Sequence, residues 1–260
     1  MWTSVSGAAA TAIHVHGTWG NFYANPFIVP LGNLYSEHGI SYLSANFPGH
    51  DETAVVERFD ESMVAMDEWI DELAPSGPLI LQGHSLGALK VLGYMQCGPL
   101  RNTARVRGLV LLSPFDVVAF YALGKPENIP ARLERASTLL QSAGASALVP
   151  KEMFNLWDIS VGTYLDLASP GCRADQFPTR SSLESAWIKS SQVPIFVSIG
   201  SEDFAAYPSP TTVVEASSKL TAVTARLVPN APHNFAGETE VLVSEVARWL
   251  SSHNLLDKPT

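Results

Sequence analysis

Short runs of apolar and β-branched residues alternate along the chain with longer stretches whose apolar residues recur every three or four positions. The runs Thr11–His16, Ile40–Ala45, Pro78–Gln82, Arg107–Ser113, Pro194–Ile199 and Ala222–Val228 read as strands. Between the second and third, Phe59, Met63, Met66, Ile70 and Leu73 follow spacings of four and three, while Asp60, Glu61, Asp67, Glu68, Asp71 and Glu72 fall mostly elsewhere. That spacing predicts an amphipathic helix whose carboxylates form a solvated face. A last helix is predicted from Glu238 to about Ser251, with Leu242, Val246, Trp249 and Leu250 on one side, packed across the sheet edge.

Such alternation calls for an α/β domain: a mostly parallel sheet of about six to seven strands with helices on both faces. Little chain precedes Thr11, which leaves room for at most one short strand before it. The alternation breaks over residues 114–190, where several helix-like pieces, "ENIPARLERASTLLQSAG" among them, occur without a buried strand. This segment reads as a helical cap inserted into a core made of residues 1–113 and 191–260.

At 260 residues with 46% apolar and 16% charged positions, the chain has the material for one large core. The net charge of -9, with 16 scattered basic residues, argues against nucleic acid as a partner. Cys97 and Cys172 allow at most one disulfide, and neither has a metal-ligand neighbour. No basic segment precedes the mildly apolar N-terminus, and no run reaches membrane-spanning length. A cytoplasmic protein without a membrane span is expected.

Candidate chemistry concentrates in "LILQGHSLGALKVLGY", residues 79–94. An apolar strand passes into a helix through Gly83-His84-Ser85-Leu86-Gly87, the G-x-S-x-G spacing of a nucleophile elbow. Glycines two residues to either side permit a turn tight enough to hold the serine hydroxyl above the sheet's carboxyl edge. The N-terminus of the following helix then points its unpartnered N–H groups at developing negative charge.

A serine needs a base, and the base needs an orienting acid, in the chain order Ser, Asp or Glu, His on this architecture. Downstream of Ser85 only His233 and His253 remain. His253 lies beyond the last helix, whereas His233 follows the final strand by a short loop, so His233 is the candidate base. Asp203, just past the strand "VPIFVSIG", is the candidate acid, with Glu202 beside it and Asp116 in "LLSPFD" as rivals. The oxyanion donors are expected to be the N–H of Leu86 and, from "HVHGTWGNFY", that of Thr18 or Trp19. His14 and His16 stand two apart on a strand without a third ligand, so no metal site is expected. His84 reads as a packing residue beside the nucleophile, and His50 as a loop residue without an assigned role. In the cap segment Phe115, Phe120, Tyr121, Phe154, Trp157 and Tyr164 are candidates to line a substrate pocket.

Together these features resemble the α/β-hydrolase superfamily from "HVHG" to "VARWL". Through "HGTWGNFYANPFI", "LQGHSLGALKV", "LVLLSPFD", "ISVGTYLDLASP" and "GETEVLVSEVARWL", the chain is similar to a group of small bacterial and fungal hydrolases that includes the fungal siderophore ester hydrolases. It departs from that group in reading "NFPGHD" where an Arg-Gly-His loop is more usual, and in carrying Trp19 where a smaller residue is expected. Both changes fall near the expected pocket, so the group's substrate is not carried over. The resemblance implies an α/β-hydrolase fold, a triad of Ser85, Asp203 and His233, and neither metal nor organic cofactor. The expected activity is that of a serine hydrolase cleaving a carboxylic ester or related acyl bond of a small-molecule substrate through an acyl-enzyme. The same triad also serves acyl transfer, thioester hydrolysis and lyase or cyclisation steps. A ligand-binding receptor with an idle triad is the alternative from another class.

Overall fold

A computed structural model describes residues 2–47, 49–51, 54–96, 102–122, 125–176 and 187–255. The chain runs β1 (Trp2–Thr3), β2 (Ala10–Val15), α1 (Ile28–Glu37), β3 (Ile40–Ser44), α2 (Phe59–Leu73), β4 (Leu79–His84), α3 (Leu86–Gln96) and β5 (Val106–Leu112). It continues through α4 (Val117–Tyr121), α5 (Ile129–Ala143), α6 (Val161–Ala168), α7 (Trp187–Ser190), β6 (Ile195–Gly200), α8 (Pro210–Ser217), β7 (Val223–Val228) and α9 (Thr239–Ser252). The strands form one sheet in the order β1-β3-β2-β4-β5-β6-β7, parallel except for β1, which pairs antiparallel with β3. The expected strands differ from these by one or two residues at their ends. β4 runs two residues past Gln82, so the strand ends next to Ser85.

Every residue of β3, β4 and β6 is buried, because helices cover both faces of the sheet. Side chains alternate between two cores, as the pleat requires. Leu79, Leu81, Leu109, Leu111, Ile195, Val197 and Ile199 face α2, α3 and α8, whereas Ile80, Val110, Leu112 and Phe196 face α1 and α9. Helix α3 is buried on all sides from Leu86 to Met95, as a helix apolar all round must be. Its one charge, Lys90, is enclosed with it.

Register sets the position of the site. Val15 lies opposite Gly83, His84 opposite Leu112, Leu112 opposite Ser198, and Gly200 opposite Val228, so the carboxyl ends of β2, β4, β5, β6 and β7 line one edge. The chain leaves β2 for β3 on one side and returns to β4 on the other, with α1 and α2 on opposite faces. That reversal opens a crevice at the ends of β2 and β4, where ligands bind in open α/β sheets.

One part of the α2 expectation is corrected. Asp67 is not on a solvated face: it is buried and accepts hydrogen bonds from Tyr94 Oη (2.6 Å) and Asn102 Nδ2 (3.1 Å). Burial is the leading cause, ahead of that carboxylate, that pushes the Tyr94 phenol well above its ordinary range.

Over 114–190 the described residues hold α4 to α7 and no strand longer than a single bridge, while residues 123–124 and 177–186 of the expected cap lie outside the described set. Cys97 also lies outside it. α4 and α6 pack together, and only Ala136 of α5 is buried. Backbone bonds Val55 N–H to Asp158 O (2.8 Å) and Ser160 N–H to Val55 O (2.9 Å) tie this segment to the strand-exit loop after β3. An ion pair between Arg58 and Asp166 adds a tie to the start of α2. Among the described residues no helix is long and apolar enough to cross a membrane.

Candidate active site

The β4–α3 junction folds back sharply enough that Ser85 adopts φ +56°, a left-handed conformation costly for a residue with a Cβ. Three features hold it there. Ser85 N–H donates to Leu112 O (2.9 Å), so the adjacent strand fixes the turn. Gly87 lets α3 start against β2: a methyl group there would sit 2.1 Å from Val15 O. Gly17 presses on the serine from the loop after β2, with its Cβ position 2.8 Å from Ser85 Cβ and 3.2 Å from Oγ.

The loops after β6 and β7 bring the other two predicted residues to this point. Ser85 Oγ–H donates to His233 Nε2 (2.9 Å), and His233 Nδ1–H donates to Asp203 Oδ1 (2.7 Å). Asp203 is buried, and its Oδ1 also accepts Ala205 N–H (2.9 Å), which fixes the carboxylate. The rivals are elsewhere: Glu202 is exposed, and Asp116 caps α4 by accepting Ala119 N–H (2.9 Å). His253 packs on Trp249 in α9 and takes no part.

His84 does more than pack. Its Nε2–H donates to the backbone carbonyl of His233 (2.9 Å), and Ser113 Oγ–H donates to the same carbonyl (2.8 Å). Asn25 Nδ2–H donates to His84 Nδ1 (3.3 Å), which fixes the tautomer. Phe27 buttresses the His84 ring at 5.2 Å. These bonds anchor the His233 main chain, a role the sequence signalled only by placing a histidine before the serine.

In the loop after β2, His16 Nδ1–H donates to Gly17 O (2.8 Å) and His16 Nε2 accepts Phe47 N–H (2.9 Å). Gly20 N–H donates to the same Gly17 carbonyl (3.0 Å). A peptide unit is planar and trans, so fixing the Gly17 carbonyl aims the Thr18 N–H the opposite way. Among the described residues neither Thr18 N–H nor Leu86 N–H meets an acceptor. Trp19 has φ +55°, and its backbone pairs with His50 in a single parallel bridge, so the loops after β2 and β3 brace each other. Asn21 Nδ2–H to Asp51 Oδ1 (2.7 Å) and Phe22 N–H to Asn46 Oδ1 (3.0 Å) strengthen that brace. His14 is used in the core, where its Nδ1 accepts Gln82 Nε2–H (3.0 Å). Among the described residues no group of three or more His, Cys, Asp or Glu side chains is arranged to hold a metal ion.

Burial keeps three of these imidazoles neutral. It lowers His14 well below its ordinary value, with His84 and His16 adding to the effect. It brings His16 to about 4, helped next by Lys90, and His84 to about 3, helped next by His233. Below pH 6.5 the unfolded chain therefore takes up protons that the native state refuses, so stability present above that pH is lost as pH falls toward 4. Unfolding free energy from urea titrations is expected to be lower at pH 5.5 than at 7.5 by a few kcal/mol, roughly one for each buried imidazole; equal midpoints would remove the buried-imidazole account.

The predicted pocket residues divide into two layers. Phe154 and Tyr164 are 0% and 1% exposed, the first stacked on Tyr121 and the second edge-on to it, so they have no surface for a ligand and form the layer behind. Phe115 and Phe120 are nearly buried, and Trp157 is partly open. Phe204, absent from the expected set, is 64% exposed and lies 5.0 Å from the His233 ring.

A model of the alpha/beta hydrolase family matches residues 12–245. The chain belongs to the α/β-hydrolase family. No curated protein matches its sequence. Among solved structures, the chain is similar to Est1E from Butyrivibrio proteoclasticus with bound ferulic acid, at 16% identity, 96% of this chain, 91% of that chain and TM-score 0.69. It is similar also to the siderophore hydrolase EstB from Aspergillus fumigatus, at 18% identity, 96% and 92% coverage and TM-score 0.66. A third is a Paleococcus ferrophilus monoacylglycerol lipase, at 21% identity, 94% of each chain and TM-score 0.61. At these identities the likeness is one of fold, shared with esterases and lipases alike.

Proposed function

We propose that the protein is a serine hydrolase that cleaves a carboxylic ester, or a related acyl bond, of a small-molecule substrate. What supports the reading is the unbroken relay from Ser85 Oγ through both ring nitrogens of His233 to Asp203 Oδ1. As Ser85 Oγ attacks the carbonyl carbon, its proton passes to His233 Nε2, and the carboxylate of Asp203 stabilises the imidazolium that forms. The N–H groups of Leu86 and Thr18, with Trp19 as the alternative to Thr18, bind the oxyanion, aided by the positive end of the eleven-residue helix α3. His233 then gives the proton to the departing oxygen, which leaves an acyl group on Ser85. A water molecule attacks that ester while His233 takes its proton; collapse frees the acid and returns the proton to Ser85. Residues 114–190 act as a cap on the core of 1–113 and 191–260, with Phe115, Phe120 and Trp157 turned to the substrate side and Phe154 and Tyr164 supporting them.

A fluorophosphonate probe and short p-nitrophenyl esters test the proposal. Labelling mapped to Ser85, abolished in Ser85→Ala and accompanied by turnover, is the expected outcome. Labelling without turnover of any ester would move the assignment to acyl transfer or lyase chemistry, and absence of labelling would overturn it.

A further inference from the structure

Aromatic rings run in contact from one side of the nucleophile round to the other. The series begins at His233, against which Phe204 sits with ring centroids 5.0 Å apart. Phe204 meets Phe120 at 6.3 Å, Phe120 stacks on Trp157 at 5.5 Å and 26°, and Trp157 meets Trp19 edge-on at 4.9 Å. Trp19 lies two residues beyond Gly17, which touches Ser85. Both ends of the series therefore converge on the Ser85 hydroxyl, one through the base and the other through the oxyanion loop.

The exposure of these rings separates them from the aromatics behind. Phe154, Tyr121 and Tyr164 are closed in, whereas Phe204, Trp157 and Trp19 keep open surface. Among the described residues Phe204 is the most exposed of the large hydrophobic side chains, although the buried carboxylate of Asp203 fixes its neighbouring backbone. An apolar ring held open beside a catalytic imidazole has a partner face to offer, and its neighbours present both edges and faces. Aromatic pairs gain from such edge-to-face and offset contacts beyond what burying the same area supplies.

We infer that this rim receives a planar aromatic ring of the substrate, making an aryl or arylalkyl ester the preferred class. The inference rests on the serine-hydrolase reading for its chemistry, and on the ring geometry alone for its recognition. The ring can belong to the acid or to the alcohol, and matched pairs distinguish the two: ethyl 3-phenylpropanoate against ethyl 3-cyclohexylpropanoate, and 2-phenylethyl acetate against 2-cyclohexylethyl acetate. Cyclohexyl is the more hydrophobic member of each pair, so a merely greasy site prefers it.

Hydrolysis followed by pH-stat is expected to give a phenyl-to-cyclohexyl ratio in kcat/KM of about fivefold or more in one pair, the size that one or two favourable ring contacts supply. Phe204→Leu and Trp157→Leu are each expected to bring that ratio toward one. A ratio of one or below in both pairs, or one that neither substitution moves, overturns the inference. The same esters are titrated by calorimetry into Ser85→Ala, where binding is read without turnover. Aryl preference in binding without hydrolysis by the unaltered protein upholds the rim and sinks the proposed reaction. Hydrolysis of ethyl acetate with no aryl preference does the reverse.

Discussion

Ser85→Ala and His233→Ala are each expected to lower kcat on an ester substrate by about 10⁴-fold or more, and the double variant to fall little further than the worse single one. The reason is serial: the proton of Ser85 has one route, the 2.9 Å bond to His233 Nε2, and removal of either end closes it. Residual rate is then expected from binding and from the proposed oxyanion donors, which both variants keep. Asp203→Asn is expected to cost about 10³-fold or more, since an amide neither holds the Nδ1–H tautomer as firmly nor stabilises the imidazolium. Asp116→Asn supplies the control. That side chain caps α4 through Ala119 N–H, and asparagine caps as well as aspartate, so kcat is expected to stay within about threefold of the parent. Initial rates at saturating ester, with folding checked by circular dichroism, measure all five. A harmless Asp203→Asn beside a crippled Asp116→Asn would reassign the acid.

The sequence is legible where local patterns and architecture coincide. The sheet follows from short apolar runs, because strands buried on both faces have little choice of residue. The turn at Ser85 follows from Gly83 and Gly87, because only a tight bend between strand and helix needs glycine at both offsets. His233 and Asp203 follow from their place after strands, which fixes the sheet edge at which they emerge. Contacts made across the chain are less legible. Asp67 shares the helical spacing of its solvated neighbours, and only the arrival of Tyr94 and Asn102 distinguishes it. Phe154 and Trp157 look equivalent in sequence, yet one is sealed behind Tyr121 and the other remains partly open. Nothing in the residues around Phe204 marks it as exposed, and its place beside the His233 ring is set by contacts made across the chain. The anchoring of His233 by His84 and Ser113 joins the end of β4 to two loops and leaves no spacing signal in any of them.

Lys90→Met is expected to lower stability by about 3–5 kcal/mol, as is Glu57→Leu, while the double variant returns to within about 1 kcal/mol of the parent. Lys90 Nζ lies 2.7 Å from Glu57 Oε2, with the two side chains 0% and 3% exposed. The pair joins α3 to the loop after β3. Ser62 Oγ–H also donates to Glu57 Oε2 (3.3 Å), Thr163 Oγ1–H donates to the Glu57 carbonyl (2.8 Å), and the Gly49 backbone closes on the carboxylate. Among the described residues Glu57 Oε1 has no partner, so the carboxylate depends on the ammonium for most of its compensation. Loss of one charge leaves the other buried with nothing to replace water, whereas loss of both exchanges an ion pair for apolar packing at little net cost. Against a total of about 5–15 kcal/mol, either single change removes a large share, and urea unfolding reads it directly. Single variants within 1 kcal/mol of the parent would show the pair to be solvated in practice. The rate of the molecules that remain folded should change only severalfold at neutral pH, because burial acts ahead of Lys90 in keeping His16 neutral and the Gly17 carbonyl held. Lys90 is thereby expected to hold the frame of the site without entering its chemistry.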